Sequence, residues 1–321
     1  MGDHSEPEST NVQTAVYNGI PPPSSSYQFL PDKPETITAN LLKLLESAPN
    51  PRHKFILQVL VKHLHAVIIE TNLTTGELFE SLKFLVRVGQ TCTPSRDEMS
   101  LLSAVVGVNV LVDAIENPVA DGATESCLQG PFYYENAQEV DIGGSIASEG
   151  SGDYLYVEGR VLTTKGEPIQ NAIIDAWGKC RRYGLYDVHY VDQTNPDCRG
   201  RVRSGKDGEF GFRVAPPYPA DADGPVGELM LLMGLHNMRP SHVHLMVKAP
   251  GYRTLVTAFY PEDSDYLTSD IVFGVKKSLV VKLRKVEDDE EACKRGLPNG
   301  SSFMLLQRDI VSLTEEQAKS L

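Results

Sequence analysis

Apolar residues change their spacing once along this chain. Between Thr36 and Asn117 they recur every three or four positions, the period of a helix with one buried face. Leu41, Leu42, Leu44 and Leu45 open the pattern. Phe55, Ile56, Val59, Leu60, Leu64, Val67 and Ile68 continue it on one face. Asn72 and the Thr74-Thr75 pair supply a break and an N-cap before Leu78, Leu82 and Leu85. Pro94 and Ser95 start a further helix carrying Leu101, Leu102, Val105, Val108, Val112 and Ile115. The reading is about four helices. Near Gly122 the period drops to two. Leu155, Val157 and Val161 share one face of an extended run, with Tyr156, Glu158 and Arg160 on the other. Further strands are expected at Ile169 to Trp177, Phe210 to Val214, His242 to Val247, Thr254 to Phe259 and Ser278 to Leu283, punctuated by turns such as Lys165-Gly166-Glu167-Pro168. This spacing predicts a mostly β chain with a helical N-terminal region, its strands forming an antiparallel β-sandwich.

The expected organisation has four parts. Residues 1–35, with Pro7, Pro21 to Pro23, Pro31 and Pro34, read as a flexible arm. Residues 36–120 are the helical region and 121–285 the sandwich. Residues 286–321 form a C-terminal extension that opens on the acidic run Glu287 to Glu291, with one more strand over Phe303 to Val311. Of 321 residues 41% are hydrophobic, enough for a core. The net charge of -13 argues against gripping nucleic acid through overall charge. Residues 1–35 and 286–321 hold -8 of it, so the body is only mildly acidic. No apolar run is long enough to span a membrane, and no basic stretch followed by an apolar one marks a secretory signal. Five scattered cysteines, Cys92, Cys127, Cys180, Cys198 and Cys293, fit neither a disulfide framework nor a zinc ribbon, so reduced thiols in the cytoplasm are expected.

The sharpest local feature is Arg239-Pro240-Ser241-His242-Val243-His244. On a strand, residues two apart point the same way, so His242 and His244 present two imidazoles to one metal ion. The plainer alternative is a polar strand face. Asp221 and Asp223 would complete a zinc or manganese hydrolase site, although a solvated loop is the preferred reading of that pair. Tyr186 and Tyr218 are the other candidates. A phenol titrates near ~10 in water, so it binds as phenolate only to a strong Lewis acid such as ferric iron. Spacing alone does not decide between these.

Ordered motifs add a resemblance. Gly130-Pro131-Phe132-Tyr133, Asp175-Ala176-Trp177, Gly184-Leu185-Tyr186, Asp207-Gly208-Glu209-Phe210 and Asp223-Gly224-Pro225-Val226-Gly227 occur in order. They are followed by Gly234-Leu235-His236, the Arg239 to His244 segment, Ala249 to Thr257, Tyr266 to Asp270 and Phe273 to Lys276. From Gly130 to about Leu283 the chain resembles the intradiol ring-cleaving dioxygenases, the catechol and hydroxyquinol 1,2-dioxygenase family, and its helical region resembles that family's dimerisation helices. The resemblance implies a non-haem Fe(III) held by Tyr186, Tyr218, His242 and His244, with Tyr218 axial and displaced by substrate. It implies Arg239 beside the bound ring, where a guanidinium stabilises negative charge, and Gly130, Pro131, Phe132 and Val272 lining the ring site. The substrates implied are O2 and a catechol-type diol opened between its hydroxylated carbons, giving maleylacetate from hydroxyquinol or cis,cis-muconate from catechol. A homodimer, with a lipid between its helices, belongs to the same implication.

The chain also departs from the pattern. Hydroxyquinol enzymes commonly carry Leu-Leu-Ser-Asp on a pocket helix, whereas this chain has Leu101-Leu102-Ser103-Ala104. Ala258 stands where Gln or His is usual, and small Ala104 and Ala258 would widen the pocket. The rival readings are the hydrolase and a sandwich module without catalysis. Trp177 reads as core, and Cys180 lacks the base partner of a nucleophile.

Overall fold

The structure, a computed structural model, describes residues 33–94, 96–118, 120–133, 135, 137–148, 154–179, 185–187, 190, 196–297 and 300–321. The expected arm therefore lies outside the described residues up to 32, as do Cys180 and Gly184. The described chain divides into two compact units, 1–80 and 81–321.

The first unit holds helices α1 (Pro34–Leu45) and α2 (Pro51–Thr71), which pack on each other. Pro34, counted in the sequence as a breaker, occupies the first turn of α1, where its missing N–H would have had no partner. Asn50 caps α2 by accepting from the His53 N–H at 3.0 Å, and Asn72 ends it in the left-handed conformation at φ 51°. Thr74 and Glu77 then exchange bonds, with Thr74 N donating to Glu77 at 2.8 Å and Glu77 N to Thr74 Oγ1 at 3.3 Å. That reciprocal cap starts α3 (Thr75–Thr91).

In the second unit the single helix expected after Pro94 is two, α4 (Glu98–Val105) and α5 (Val108–Glu116), bent by 80°. Gly107, at φ +78°, makes the break in a conformation that costs glycine little. The apolar period runs on across this bend, which is why spacing alone joined the two. Among the described residues no single helix is long and apolar enough to cross a membrane.

The strands form two five-stranded sheets around one core. In the first, β1 (Tyr154–Thr163) pairs with β4 (Glu209–Val214), β11 (Phe303–Gln307) and β12 (Ile310–Ser312), while β10 (Arg284–Val286) adds to β11. The second runs β3 (Arg199–Arg203), β2 (Ile173–Gly178), β7 (Val243–Lys248), β8 (Leu255–Pro261), β9 (Val280–Val281). A two-stranded ribbon joins β5 (Ala220–Asp221) to β6 (Met238–Arg239), and α6 (Gly224–Leu232), α7 (Asp289–Lys294) and α8 (Glu315–Lys319) complete the elements. Leu155 and Val157 from the first sheet share a buried cluster with Ile174, Val202, Leu245 and Val247 from the second.

The sheets are mixed, not wholly antiparallel. The β2, β3, β7 and β8 neighbours run antiparallel, but β1 pairs in parallel with β11 and β12, and β8 with β9. The parallel pairs come from late segments that return to early strands, an order that local alternation does not encode. Residues 286–321 thus supply strands beside β1, and they cover its outer face. Tyr156, expected on the exposed side, is buried with Val286, Ala292, Leu297, Phe303 and Leu305. Where the chain passes from β11 to β12, the Arg308 carbonyl crosses β1 so closely that a Cβ on Gly159 would lie 1.9 Å from its oxygen. Gly159→Ala is expected to destabilise the protein by about 2 kcal/mol or more, the range for forced overpacking. Gly89→Ala on α3, where a Cβ meets nothing within 4 Å, should instead be neutral or stabilising, by up to about 1 kcal/mol. Denaturant titration of both variants checks the contrast.

Candidate active site

Period two decides which residues reach the outer face of the second sheet. On β2, Ile174 and Ala176 enter the shared core, so Trp177 points outward. On β7, Val243, Leu245 and Val247 enter the core and His244 points outward beside Trp177, its register partner. The two rings stack at 4.9 Å with planes 9° apart. His242, just before β7, lies edge-on to His244 with ring centroids 4.6 Å apart, so the His-x-His segment does bring two imidazoles together. Tyr186 reaches them from the segment after β2, its hydroxyl 3.3 Å from His242 Nε2. Its ring packs against Phe132 at 4.5 Å between centroids.

Two buried ion pairs hold this group. Arg239, at the end of β6, donates Nε to Asp270 Oδ1 at 2.9 Å and Nη2 to Oδ2 at 3.2 Å. Its Nη2 also meets the Tyr260 hydroxyl at 3.3 Å, and Nη1 lies 3.5 Å from His242 Nε2. Asp270 accepts the Gly274 N–H at 2.9 Å. Arg199 on β3 forks onto Asp187, the neighbour of Tyr186, at 3.0 and 2.9 Å, and donates to the Phe132 carbonyl at 2.8 Å. One guanidinium therefore holds both the Phe132 backbone and the side chain next to Tyr186, behind the two tilted rings.

These residues border one pocket. Its sheet side is Trp177, Tyr186, Arg239 and His244, its floor Gly130, Pro131 and Phe132, and its helical side Leu101 and Ala104 of α4 with Asn109 of α5 and Val272. Seven of the eight residues expected to meet substrate are here: Leu101, Ala104, Gly130, Pro131, Phe132, Arg239 and Val272. Ala258 is not in the wall; it is fully buried opposite His244 in the β7–β8 register. Tyr218 stands on the loop before β5, 45% exposed, with Lys179 Nζ 5.6 Å from its ring centre. Trp177, read from the sequence as core, is fully buried in a cluster with Tyr186, Ala220 and Met246; sequence reading did not place it in the pocket wall as well, and it gave no role to Asp270, Tyr260, Arg199 or Asn109. Trp177 becomes readable only through its pairing with His244, which sequence alone does not supply.

Burial and charge set the protonation states. Burial first, and then the Arg239 charge, pull His242 down to about 3. Burial, with His242 and Arg239 beside it, holds His244 well below the ordinary histidine value. Burial pushes the Tyr186 phenol up to about 12 against the pull of Arg239 and Arg199. For Asp270 burial works the other way, but Arg239 keeps its carboxyl below the usual range. Both imidazoles are thus neutral donors at physiological pH. The Pro240 carbonyl, 2.7 Å from His242 Nδ1, accepts that N–H and leaves the Nε2 lone pair facing Tyr186. His244 Nδ1 is buried with no hydrogen-bond partner among the described residues.

The carboxylates of the hydrolase reading are both ion-paired, although Asp221 borders the pocket. Asp221 pairs with Lys179, and Asp223 with Arg96 at 2.7 Å. Among the described residues no group of three His, Cys, Asp or Glu side chains is placed to hold a metal.

Comparison with known proteins gives the same direction. A sequence family described as Dioxygenase matches residues 128–304, and one described as Catechol dioxygenase N terminus matches residues 50–124. The chain is 39% identical over 289 residues to an intradiol ring-cleavage dioxygenase of Aspergillus niger, covering 89% of this chain and 87% of that protein. It is 40% identical over 269 residues to a hydroxyquinol 1,2-dioxygenase of a Rhizobium species, covering 83% and 90%. Among solved structures it matches a hydroxyquinol 1,2-dioxygenase of Pseudomonas putida at TM-score 0.78 and 38% identity, covering 88% and 99%. The catechol 1,2-dioxygenase of Acinetobacter radioresistens matches at TM-score 0.77 and 26% identity, covering 89% and 94%.

The depressed histidines set a pH dependence for the metal-free chain. Unfolded imidazoles bind protons near pH 6.5, whereas the folded His242 resists to about 3. Stability from these residues is therefore complete above about pH 6.5 and falls as pH drops from there toward 3. Denaturant titrations across that window should show the decline, and His242→Asn, which cannot take up a proton, should make it shallower.

Proposed function

The chain belongs to the intradiol ring-cleavage dioxygenases, and we propose that it opens a hydroxyquinol- or catechol-type ring at a non-haem ferric ion held by Tyr186, Tyr218, His242 and His244. The observation that carries this reading is the meeting of Tyr186, His244 and the buried cation Arg239 in the wall of one apolar pocket, with His242 in contact with all three. The residues fit the ion. Two phenols and two neutral imidazoles are a donor set suited to a hard trivalent cation. His244 Nε2 faces Gly130 in the pocket wall, where a Cβ would lie 3.5 Å from it, so the missing side chain keeps that nitrogen open to a ligand. A phenol raised to about 12 ionises near neutrality only where a strong cation replaces its proton.

When bound, the ferric ion supplies the Lewis acidity and one-electron chemistry by which a catecholate reacts with O2. The protein does the rest by placement. Arg239 offers a fixed positive charge to an anionic ring, and Asp270 keeps that charge from swinging into the pocket. Trp177 and Phe132 lock the faces of His244 and Tyr186. Tyr218, partly exposed on its loop, is the ligand with room to give way to substrate. The ring opens between its hydroxylated carbons, and both oxygen atoms enter the product.

Hydroxyquinol stands first because two relatives at 40% identity are named hydroxyquinol 1,2-dioxygenase and 6-chlorohydroxyquinol 1,2-dioxygenase. The homodimer belongs to the same proposal. In the first unit α2 has no buried residue, and its Phe55, Leu60, Leu64 and Val67 are all exposed, an apolar face that pairing of two copies, with or without a lipid between them, would cover. A cytoplasmic setting fits the five scattered cysteines, whose spacing makes no disulfide framework.

Purified protein should carry iron and show a visible phenolate-to-metal band. Colourless, iron-free protein with full activity would overturn the reading. Tyr186→Phe is expected to diminish that band and to lower kcat/KM by more than about 100-fold, beyond the usual effect of disturbing a ligand's supporting contacts. Ala104→Asp places an acceptor in the pocket wall, so the kcat/KM ratio for hydroxyquinol over catechol should rise by about tenfold, as for a charged hydrogen bond. Oxygen uptake, with products identified by mass, measures both substrates.

A further inference from the structure

The helical side of the pocket is apolar at Leu101 and Ala104, both buried. Three polar side chains border the pocket near them, Ser100, Asn109 and Gln129. The Ser100 hydroxyl is committed to Asp97 at 2.5 Å, within the N-cap of α4, and Gln129 is exposed. Asn109 differs. It sits on α5, just past the Gly107 break that turns this helix by 80° from α4. Its Oδ1 accepts the Ser103 hydroxyl proton, and the Ser100 carbonyl, which can only accept, faces Nδ2 and so sets the orientation of the amide. Its Nδ2 then has one acceptor among the described residues, the Ser100 carbonyl, at a long 3.5 Å. A partly buried N–H donor with so little to bind is poised for an acceptor in the pocket.

We propose that Asn109 is a specificity-determining residue whose Nδ2 donates a hydrogen bond to an oxygen substituent on the far side of the substrate ring. This rests on the ring-cleavage reading above, which turns the two reacting hydroxyls toward Tyr186, His242 and His244. That orientation leaves the remaining ring carbons to face Ala104 and Asn109. The small Ala104 leaves room for a substituent, and Asn109 reads whether it carries a lone pair. The substrate class is then a catechol bearing a third oxygen, as hydroxyl or as ether. Ser103 is a positioning residue, since without it the amide is free to turn its carbonyl inward.

The test compares 4-methoxycatechol with 4-ethylcatechol, which are close in shape but differ in one acceptor oxygen. Both kcat/KM and binding are measured on the iron-loaded protein. Trp177 is the chain's one tryptophan and stands in the pocket wall, so its fluorescence under anaerobic conditions reports occupancy without turnover. Wild type should favour the methoxy compound several-fold to about tenfold in both measures, the scale of one neutral hydrogen bond. Asn109→Leu should erase that preference and Ser103→Ala should reduce it. Loss of the preference on substituting Asn109, with ethylcatechol still cleaved, supports the assignment. A wild type without the preference, or an Asn109→Leu protein that keeps it, overturns the assignment while leaving ring cleavage intact. If wild type cleaves neither compound nor catechol, the underlying reading fails instead. Should Asn109→Leu not fold, Ser103→Ala alone decides, with an unchanged ratio counting against the proposal.

Discussion

A permanent positive charge held out of water is the constraint around which this site is organised. Arg239 is 7% exposed, and an unpaired guanidinium at that depth would cost several kcal/mol. Asp270 offsets the cost with a two-point contact, and the Gly274 N–H satisfies the same carboxylate from behind. Tyr260 takes one more guanidinium N–H, and Cys127 Sγ lies 3.2 Å from that phenol oxygen. The residues from Asp270 to Gly274 are thereby pinned against β6 and β8, which places Val272 in the pocket wall. The same charge acts on the other side. With burial it keeps His242 and His244 neutral, so both imidazoles retain a lone pair. A site that must accept an anion and present neutral nitrogens obtains both from one buried cation.

The second arginine network has a different function. Arg199 and Asp187 are both under 5% exposed, and their pair carries no group into the pocket. Their bonds reach the Phe132 carbonyl and the neighbour of Tyr186, so the two rings that meet at 4.5 Å are held by a common anchor. Breaking one partner of such a buried pair strands the other charge. Tyr186 is thus placed by a rigid contact on the far side of the segment that carries it.

Local rules made much of this legible. The change of period at Gly122 separated helices from strands, and alternation on β7 put His244 on one face and the core residues on the other. The same-face rule also brought His242 and His244 together, as the ring contact bears out. Facts that depend on which strand lies beside which were not legible. Trp177 reads as core, and is, but its place against His244 appears only when β2 is paired with β7, and Tyr156 is seen to be covered only when Val286, Phe303 and Leu305 fold over it. The parallel partners of β1 arrive almost 150 residues later in the chain, beyond any turn signal. The glycine at 107 was visible, but only its positive φ and the 80° between α4 and α5 show that the helix breaks there.

The two sides of the pocket differ in how freely each can change. The sheet side is a continuous ladder in which Trp177, His244 and Ala258 sit in register across three strands, so a shift in one side chain moves its neighbours. The helical side is a separate cluster. Leu101, Ala104 and Val105 pack with Val88, Val226 and Met230, and the start of α4 is tied to that of α6 through Arg96, Glu98 and Asp223. Replacing Ala104 or Asn109 leaves the arginine networks and the β2–β7 ladder untouched. The proposed chemistry and the proposed substrate choice therefore fall on different layers of the fold, the first fixed by pairing and buried charge, the second set by a few side chains on two short helices.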